Sequence, residues 1–429
     1  MLKINKYPQE STLKSLLARP TMETDFLESS VRNILNRVQT SGDQALLEFN
    51  KQFDKATLTS LAVTAEEVDA AVNKVSGALK DAINIAYKNI YSFHEKQQRD
   101  ELSVDTMRGV TCWRKSLPIE KVGLYIPGGT APLFSSVLML GIPAKIAGCK
   151  EVVLCTPPQA DGSINPAILF TANLVGITNI FKVGGAQAIA AMAYGTASIP
   201  QVDKIFGPGN QYVTTAKQMV SLQGTAIDMP AGPSEVMVLA DKSSNADFIA
   251  SDLLSQAEHG KDSQVVLIST DEGILDDVNK ALETQLEQLP RKALAAEALT
   301  KSLGILVKDT AEMMKISNYY APEHLIIATA DADDLATQVT NAGSVFIGAF
   351  TPESAGDYAS GTNHTLPTNG AARAYSGVSL DSFMKQVTFQ KITEAGLKEL
   401  GPTIEIMAEA EQLEAHKNAV SLRLKAIKS

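Results

Sequence analysis

The chain has 429 residues, 45% hydrophobic and 20% charged, the balance of an ordinary globular protein long enough for two or three domains. Its net charge of −10 lacks the basic face that a nucleic-acid partner requires and leaves small substrates open. The 3 cysteines, Cys112, Cys149 and Cys155, form no C-x-x-C pair, so neither a zinc knuckle nor a disulfide framework is expected, and all three fall in or near strands as core.

The opening residues 1–8 carry no apolar stretch of signal-peptide length, and a cytoplasmic address is expected. Residues 10–99 read as helical, with a stop at Ser41-Gly42-Asp43 and a capping box formed by Thr64 and Glu67. His94 falls at a polar helix end and is expected to be solvated. The uncharged run 122–144 is long enough for a membrane span, but Pro127, Gly128, Gly129, Pro132 and Pro143 divide it into strand, loop and short helix.

From 122 to 233 the period changes. Short β-rich runs at 122–126, 151–155, 180–183 and 204–206 alternate with helix-compatible stretches, as a parallel sheet with crossovers demands. Three of them run into glycine-rich turns, Pro127-Gly128-Gly129, Gly184-Gly185-Ala186-Gln187 and Gly207-Pro208-Gly209-Asn210. Turns at the carboxyl ends of parallel strands are where open α/β sheets bind ligands, although none completes G-x-G-x-x-G. A second series of strands follows at 234–239, 264–268, 303–307, 325–327 and 344–347. Two α/β units thus stand in tandem, with a cleft between them as the expected site.

Within the second series, 245–259 reads as a helix capped by Asn245 or Asp247 and ended by Gly260, with Ile249, Leu253 and Ala257 as its buried stripe. Gln256 and His259 are spaced i, i+3 beside that stripe, and Asp252 shares the face. An amide oxygen and an imidazole one turn apart can chelate a cation, which the negative helix end also favours. Ala321-Pro322-Glu323-His324 sets a carboxylate beside an imidazole just before a strand, the equipment of general-base catalysis. Asp357, in Glu353-Ser354-Ala355-Gly356-Asp357, is a candidate oxygen ligand, though spacing does not choose it over its acidic neighbours. His364 lies in the polar loop 361–368, and His416 in a helix expected after Gly401-Pro402. Of the 5 histidines, four follow residue 258.

Six stretches, Ser255-Gln-Ala-Glu-His-Gly260, Ala321-Pro-Glu-His324, Ile205-Phe-Gly-Pro-Gly-Asn210, Asp228-Met-Pro-Ala-Gly-Pro-Ser-Glu235, Thr362-Asn-His-Thr-Leu-Pro367 and Ala415-His-Lys-Asn-Ala419, together resemble the histidinol dehydrogenase family. The likeness runs in the family's order over nearly the whole chain. It implies two tandem Rossmann-like parallel-sheet units with a helical N-terminal region and a helical C-terminal tail. The implied division is an arm at 1–22, a zinc and substrate domain from 23–121 plus 234–378, an NAD domain at 122–233, and a tail at 379–429 that crosses to the partner of a homodimer.

The activity implied is oxidation of L-histidinol through the bound aldehyde to L-histidine, with two NAD and one zinc per subunit, at the last step of histidine biosynthesis. Carried over by motif, Gln256, His259, Asp357 and His416 match the zinc ligands, which also contact substrate. Glu323 and His324 match the acid–base pair. Ser234, His364 and Glu411 fall near the substrate, and Tyr125, Gln187 and Asn210 match the NAD contacts. Glu411 rests on motif matching alone, because helical spacing pairs His416 with Gln412 or Leu413. A related dehydrogenase of another small alcohol, a zinc hydrolase and a two-lobed binding protein are the competing readings. The hydrolase leaves the glycine-rich turns without a ligand, and a two-lobed binding protein is normally exported.

Overall fold

The structure, a computed structural model, describes residues 1–19, 24–128, 132–230 and 232–428. Gly129 of the first glycine-rich turn, Ala231, and positions 20–22 of the expected arm lie outside them. The chain divides into two compact units, residues 1–97 with 119–383, and residues 98–118 with 384–429.

The first unit contains two parallel sheets. One has 5 strands in the order Asn179–Lys182, Glu151–Thr156, Lys121–Tyr125, Lys204–Phe206 and Ala226–Ile227. The other has 6, in the order Lys3–Lys6, Leu303–Leu306, Gln264–Ser269, Glu235–Ala240, His324–Ile327 and Ser344–Ile347. Strands covered on both faces read as continuous apolar runs rather than alternation, and Glu235–Ala240 and Gln264–Ser269 are buried at every position. Thr24–Phe49, Gly185–Tyr194 and Gln211–Ser221 cover one face of the five-stranded sheet, and Gly77–Glu95, Phe134–Ala147 and Pro166–Val175 the other. Ala246–Ala257, Glu272–Leu286 and Lys292–Leu299 cover one face of the six-stranded sheet, opposite Thr310–Tyr320 and Ala332–Ala336. Among the described residues no helix is long and apolar enough to cross a membrane.

The expected strands are present to within a residue or two. The Thr64 capping box is formed in both directions, and Gly42 bends Thr24–Phe49 with φ 50°. Lys3–Lys6 is an edge strand that the sequence reading did not assign, paired in parallel with Leu303–Leu306. Of the cysteines, Cys155 is buried in its strand, while Cys112 and Cys149 are only partly covered.

The second unit is an antiparallel sheet of 3 strands, Leu102–Met107, Val110–Pro118 and Met384–Ile392, followed by the helices Glu394–Ala410 and Glu414–Lys428. The expected single helix after Gly401-Pro402 needs correction. Thr393 caps the first helix through Gly396 N, so Gly401 and Pro402 lie inside it, and the chain breaks at Glu411-Gln412-Leu413 with Gln412 at φ 59°. Gly401 serves close helix packing rather than a stop, because a Cβ there would lie 2.9 Å from Leu424 Cδ1.

The solvated His94 is a second correction. It is 0% exposed; its Nδ1–H donates to the carbonyl of Ile90 at 2.8 Å, and Asn363 Nδ2 donates to its Nε2 at 3.3 Å. The polar residues beside it in sequence gave no sign of the 361–368 loop that covers it. Burial lowers its pKa below 6.5, so in the acid range the unfolded chain takes up a proton that the folded chain refuses. Stability from the neutral ring is therefore complete above pH 6.5 and is lost as pH falls below it. His94→Gln should be less stable at pH 7 and show a shallower loss between pH 7 and 5. Equal pH slopes of the urea midpoint in the two proteins would contradict this.

Candidate functional site

At the carboxyl ends of the five-stranded sheet lies a cavity of about 940 Å³ whose lining includes Tyr125, Gly128, Gly185, Gln187, Asn210 and Asp54. It opens where the strand order reverses, beside Lys121–Tyr125 and Lys204–Phe206, the position at which such sheets bind ligands. Asn210 Oδ1 caps Gln211–Ser221 by accepting from the amides of Tyr212 and Val213, which leaves its Nδ2 for a ligand. Tyr125 is buried, its hydroxyl accepting from Gly185 N at 3.1 Å, and burial pushes its pKa up to about 12. Gly207 is required by geometry: its φ is 125° and a Cβ would lie 2.1 Å from the carbonyl oxygen of Tyr125. The three glycine-rich turns found in the sequence thus meet at one cavity, and two helix N-termini, at Gly185 and Gln211, open beside it.

The candidate acid–base pair, Glu323 and His324, lies at the amino end of the six-stranded sheet. Glu323 precedes the strand His324–Ile327, and both residues are buried. Glu323 Oε2 accepts from Glu235 N at 2.8 Å, and burial raises its carboxyl pKa to about 8. His324 Nδ1 is 3.1 Å from the carbonyl oxygen of Glu235, which can only accept, so Nδ1 carries the proton and Nε2 faces the site. Three carboxylates surround this ring, with Glu323 Oε2 3.6 Å and Glu353 Oε1 4.0 Å from Nδ1, and Asp357 Oδ1 3.7 Å from Nε2. Burial alone would lower the ring's pKa, but Glu353, Glu323 and Asp357 outweigh it and carry it to about 10. Asp357 is held below its ordinary value despite its burial, because His324 lies against it.

The candidate metal ligands converge only in part within this unit. His259, Glu353 and Asp357 each offer an atom within 4.8 Å of the others. Gln256 is buried in the last turn of Ala246–Ala257, and its Oε1 has no hydrogen-bond partner; both oxygens of Glu353 and Nε2 of His324 are likewise without one. Buried polar atoms are normally satisfied, so this orphaned set of oxygen and imidazole donors fits a divalent cation. The helix ends at Ala257, two residues earlier than the sequence suggested, so His259 stands in the turn beyond it and is exposed. Asp252, on the same helix, is raised to about 7 by burial.

Glu353 belongs to this donor group and was not singled out from the sequence. It and Asp357 occupy i, i+4 on the helix Glu353–Tyr358, so one face carries both carboxylates. That spacing was the available signal. Ser234 stands just before Glu235–Ala240, and its carbonyl accepts from Gln264 N at 3.2 Å. His364 donates from Nδ1 to the carbonyl of Asp357 at 2.9 Å and meets Ser136 Oγ through Nε2 at 3.1 Å; burial lowers its pKa. Glu411 and His416 belong to the second unit, Glu411 in its interhelical break and His416 in the first turn of Glu414–Lys428, both exposed.

Known proteins match nearly the whole length of the chain. The sequence model of the family described as "Histidinol dehydrogenase" matches residues 17–424. A histidinol dehydrogenase of Bacteroides fragilis is 61% identical over 427 residues, covering 100% of both chains. One from Escherichia coli O6:H1 is 53% identical, covering 97% of this chain and 95% of its own. The crystal structure of histidinol dehydrogenase from Elizabethkingia anophelis superposes with a TM-score of 0.97 at 55% identity, covering 100% of this chain and 99% of that one.

The donor set has a measurable consequence. A divalent cation that binds only the folded chain stabilises it by about 2.7 kcal/mol at a hundredfold excess over its dissociation constant. Zinc titrated into chelator-stripped protein should raise its melting temperature, and His259→Asn or Asp357→Asn should remove most of that rise. An undiminished rise in both variants would place the cation elsewhere.

Proposed function

This chain belongs to the histidinol dehydrogenase family, and from that premise we propose the reaction and the residues that carry it out. The enzyme is an NAD-dependent dehydrogenase that oxidises L-histidinol to L-histidine, at the last step of histidine biosynthesis. One observation carries the reading: a cavity lined by Tyr125, Gln187 and Asn210 occurs in the same unit as a buried Glu323–His324 pair beside orphaned metal-type donors. A zinc hydrolase uses the second feature and leaves the first without purpose. A cytoplasmic enzyme of amino-acid biosynthesis is the accompanying assignment.

NAD is assigned to the cavity, beside which the helix N-termini at Gly185 and Gln211 would supply partial positive charge for its phosphates. Zinc is assigned to Gln256, His259 and Asp357, with His416 of a partner subunit, and Glu353 stands at the same point. When bound, zinc supplies positive charge and a fixed point for the substrate's amino and imidazole nitrogens. Such a charge would offset the acidic neighbours that keep His324 protonated, leaving Nε2 to take the alcohol proton, while NAD in the cavity would accept the hydride. The aldehyde is then hydrated: Glu323 takes a proton from water as its oxygen adds to the carbonyl carbon, and His324 returns its proton to the former carbonyl oxygen, giving a hydrate from which a second NAD would accept hydride. His364 and Ser234 line the substrate's position.

The purified enzyme should form two NADH per histidinol and release histidine with no free aldehyde. Glu323→Gln should keep its metal and lose aldehyde oxidation by about a hundredfold or more, the usual weight of a general base, with a smaller loss for the alcohol. One NADH per substrate with aldehyde accumulating would overturn the reaction. Equal losses in both half-reactions would make Glu323 a positioning group.

The tail is assigned to a homodimer with shared sites. Ile406, Met407, Leu413 and Leu422 are 67%, 60%, 41% and 56% exposed, an apolar set that water disfavours and a second copy can cover. His416 and Glu411 are then donated to the partner's site. In a mixed dimer of His259→Asn and His416→Ala, a crossing tail leaves one site with both defects and one intact, so co-expression should restore activity. Verified mixed dimers without activity would mean that each tail serves its own chain.

A further inference from the structure

The turn Gly207-Pro208-Gly209-Asn210 is held from beneath by charge. Lys217 and Asp228 form an ion pair with Nζ to Oδ1 at 2.5 Å, and their side chains are only 4% and 1% exposed. Both are committed to a single glycine: Lys217 Nζ donates to the carbonyl of Gly207 at 2.8 Å, and Asp228 Oδ2 accepts from the amide of Gly207 at 2.8 Å. Asp228 Oδ1 also accepts from Met229 N at 2.8 Å, and the Asp228 amide donates to Ile205 O at 3.0 Å, which fixes the carboxylate to the edge of the sheet. Lys204, the other cation near Asp228, is engaged with the carbonyl of Ser382 at 2.8 Å. Neither member of the pair is among the cavity's lining residues.

A buried ion pair rarely stabilises a fold more than apolar residues of the same size, so its retention calls for another use. Here the use is local. Gly207 sits at φ 125° against the backbone of Tyr125, a conformation without a strand or helix ladder to define it. The pair satisfies both polar groups of that residue. The arrangement also closes on itself, because Lys217 lies on the helix Gln211–Ser221 that Asn210 caps. The helix therefore sets the position of the turn that begins it.

We propose that Lys217 and Asp228 are positioning residues for the dinucleotide. They clamp Gly207 so that Asn210 and Tyr125 hold the spacing the cofactor needs, without touching it themselves. The inference rests on the assignment of NAD to this cavity, and NAD titration of the unmodified zinc enzyme tests that assignment first. If the unmodified enzyme takes up no NAD, the assignment fails before any variant is measured.

The deciding comparison uses Lys217→Met and the double variant Lys217→Met with Asp228→Leu. The single change leaves a buried carboxylate unpaired and should lower the melting temperature most; the double change removes that charge and should recover part of the loss. NAD affinity, read by calorimetry, should fall about tenfold or more in both and not recover in the double variant, since misplacing a binding group by about 1 Å is already costly. Zinc content and histidinol binding should stay as in the unmodified enzyme. Affinity that recovers with the melting temperature, or that stays within about twofold of the unmodified enzyme, would make the pair a structural element only. If neither variant folds, the unmodified zinc enzyme decides by hydrogen exchange. A clamped Gly207 amide exchanges slowly with or without NAD, and rapid exchange in the NAD-free enzyme overturns the proposal.

Discussion

The chemistry at the six-stranded sheet depends on how one residue, Glu235, is held. Its amide donates to Glu323 and its carbonyl receives His324 Nδ1, so a single residue orients both members of the candidate acid–base pair. Its own carboxylate is 3% exposed and paired with Arg19, Nε to Oε1 at 2.5 Å, while the amide of Asn369 donates to Oε1 at 2.9 Å. Arg19 also donates to the carbonyl of Tyr320 at 2.8 Å and lies over that ring at 3.9 Å. Removing one partner from such a buried pair costs roughly 3–5 kcal/mol, against about 0–1 kcal/mol for a surface pair such as Lys280–Asp277. The strand beneath the site is thus fixed by an arginine from the far N-terminal end of the chain.

The two sheets of this unit are used at opposite ends, and helix polarity explains why both choices suit their ligands. At the carboxyl ends of the five-stranded sheet, Gly185–Tyr194 and Gln211–Ser221 begin, and the partial positive charge of their N-termini lies beside the cavity, where it would favour an anionic ligand. At the amino end of the six-stranded sheet, Ala246–Ala257 finishes, and its partial negative end accompanies Gln256 and His259. Carboxylates gathered there can share one cation but not three unpaired charges. The usual rule for open α/β sheets therefore finds the first site and misses the second.

Much of this was legible in the sequence because strands buried on both faces declare themselves as apolar runs, and the glycine-rich turns mark where they end. Unassigned elements carry weaker signals. Lys3–Lys6 finds its partner some three hundred residues away, and Leu102–Met107 and Val110–Pro118 mix apolar with polar residues and bury little, so no clear one-sided pattern marks them. Single residues failed for related reasons. His94 is covered by a distant loop, the proximity of Glu353 to His259 depends on how separate segments fold together, and nothing in the residues around Glu235 shows that its backbone would hold Glu323 and His324.

Burial has two opposed consequences at the reacting centre. It raises Glu323 to about 8, so that this carboxyl titrates close to neutral pH and can both take and release a proton there. The same dry surroundings make the three carboxylates hold His324 protonated, which is the wrong state for a base. A positive charge among Asp357, Glu353 and His259 would oppose both effects, since it would offset the carboxylates that lift His324 and favour the ionised form of Glu323. The unpartnered oxygens of Glu353 and the raised imidazole of His324 thus trace to one feature, the crowding of three carboxylic groups around a single buried ring.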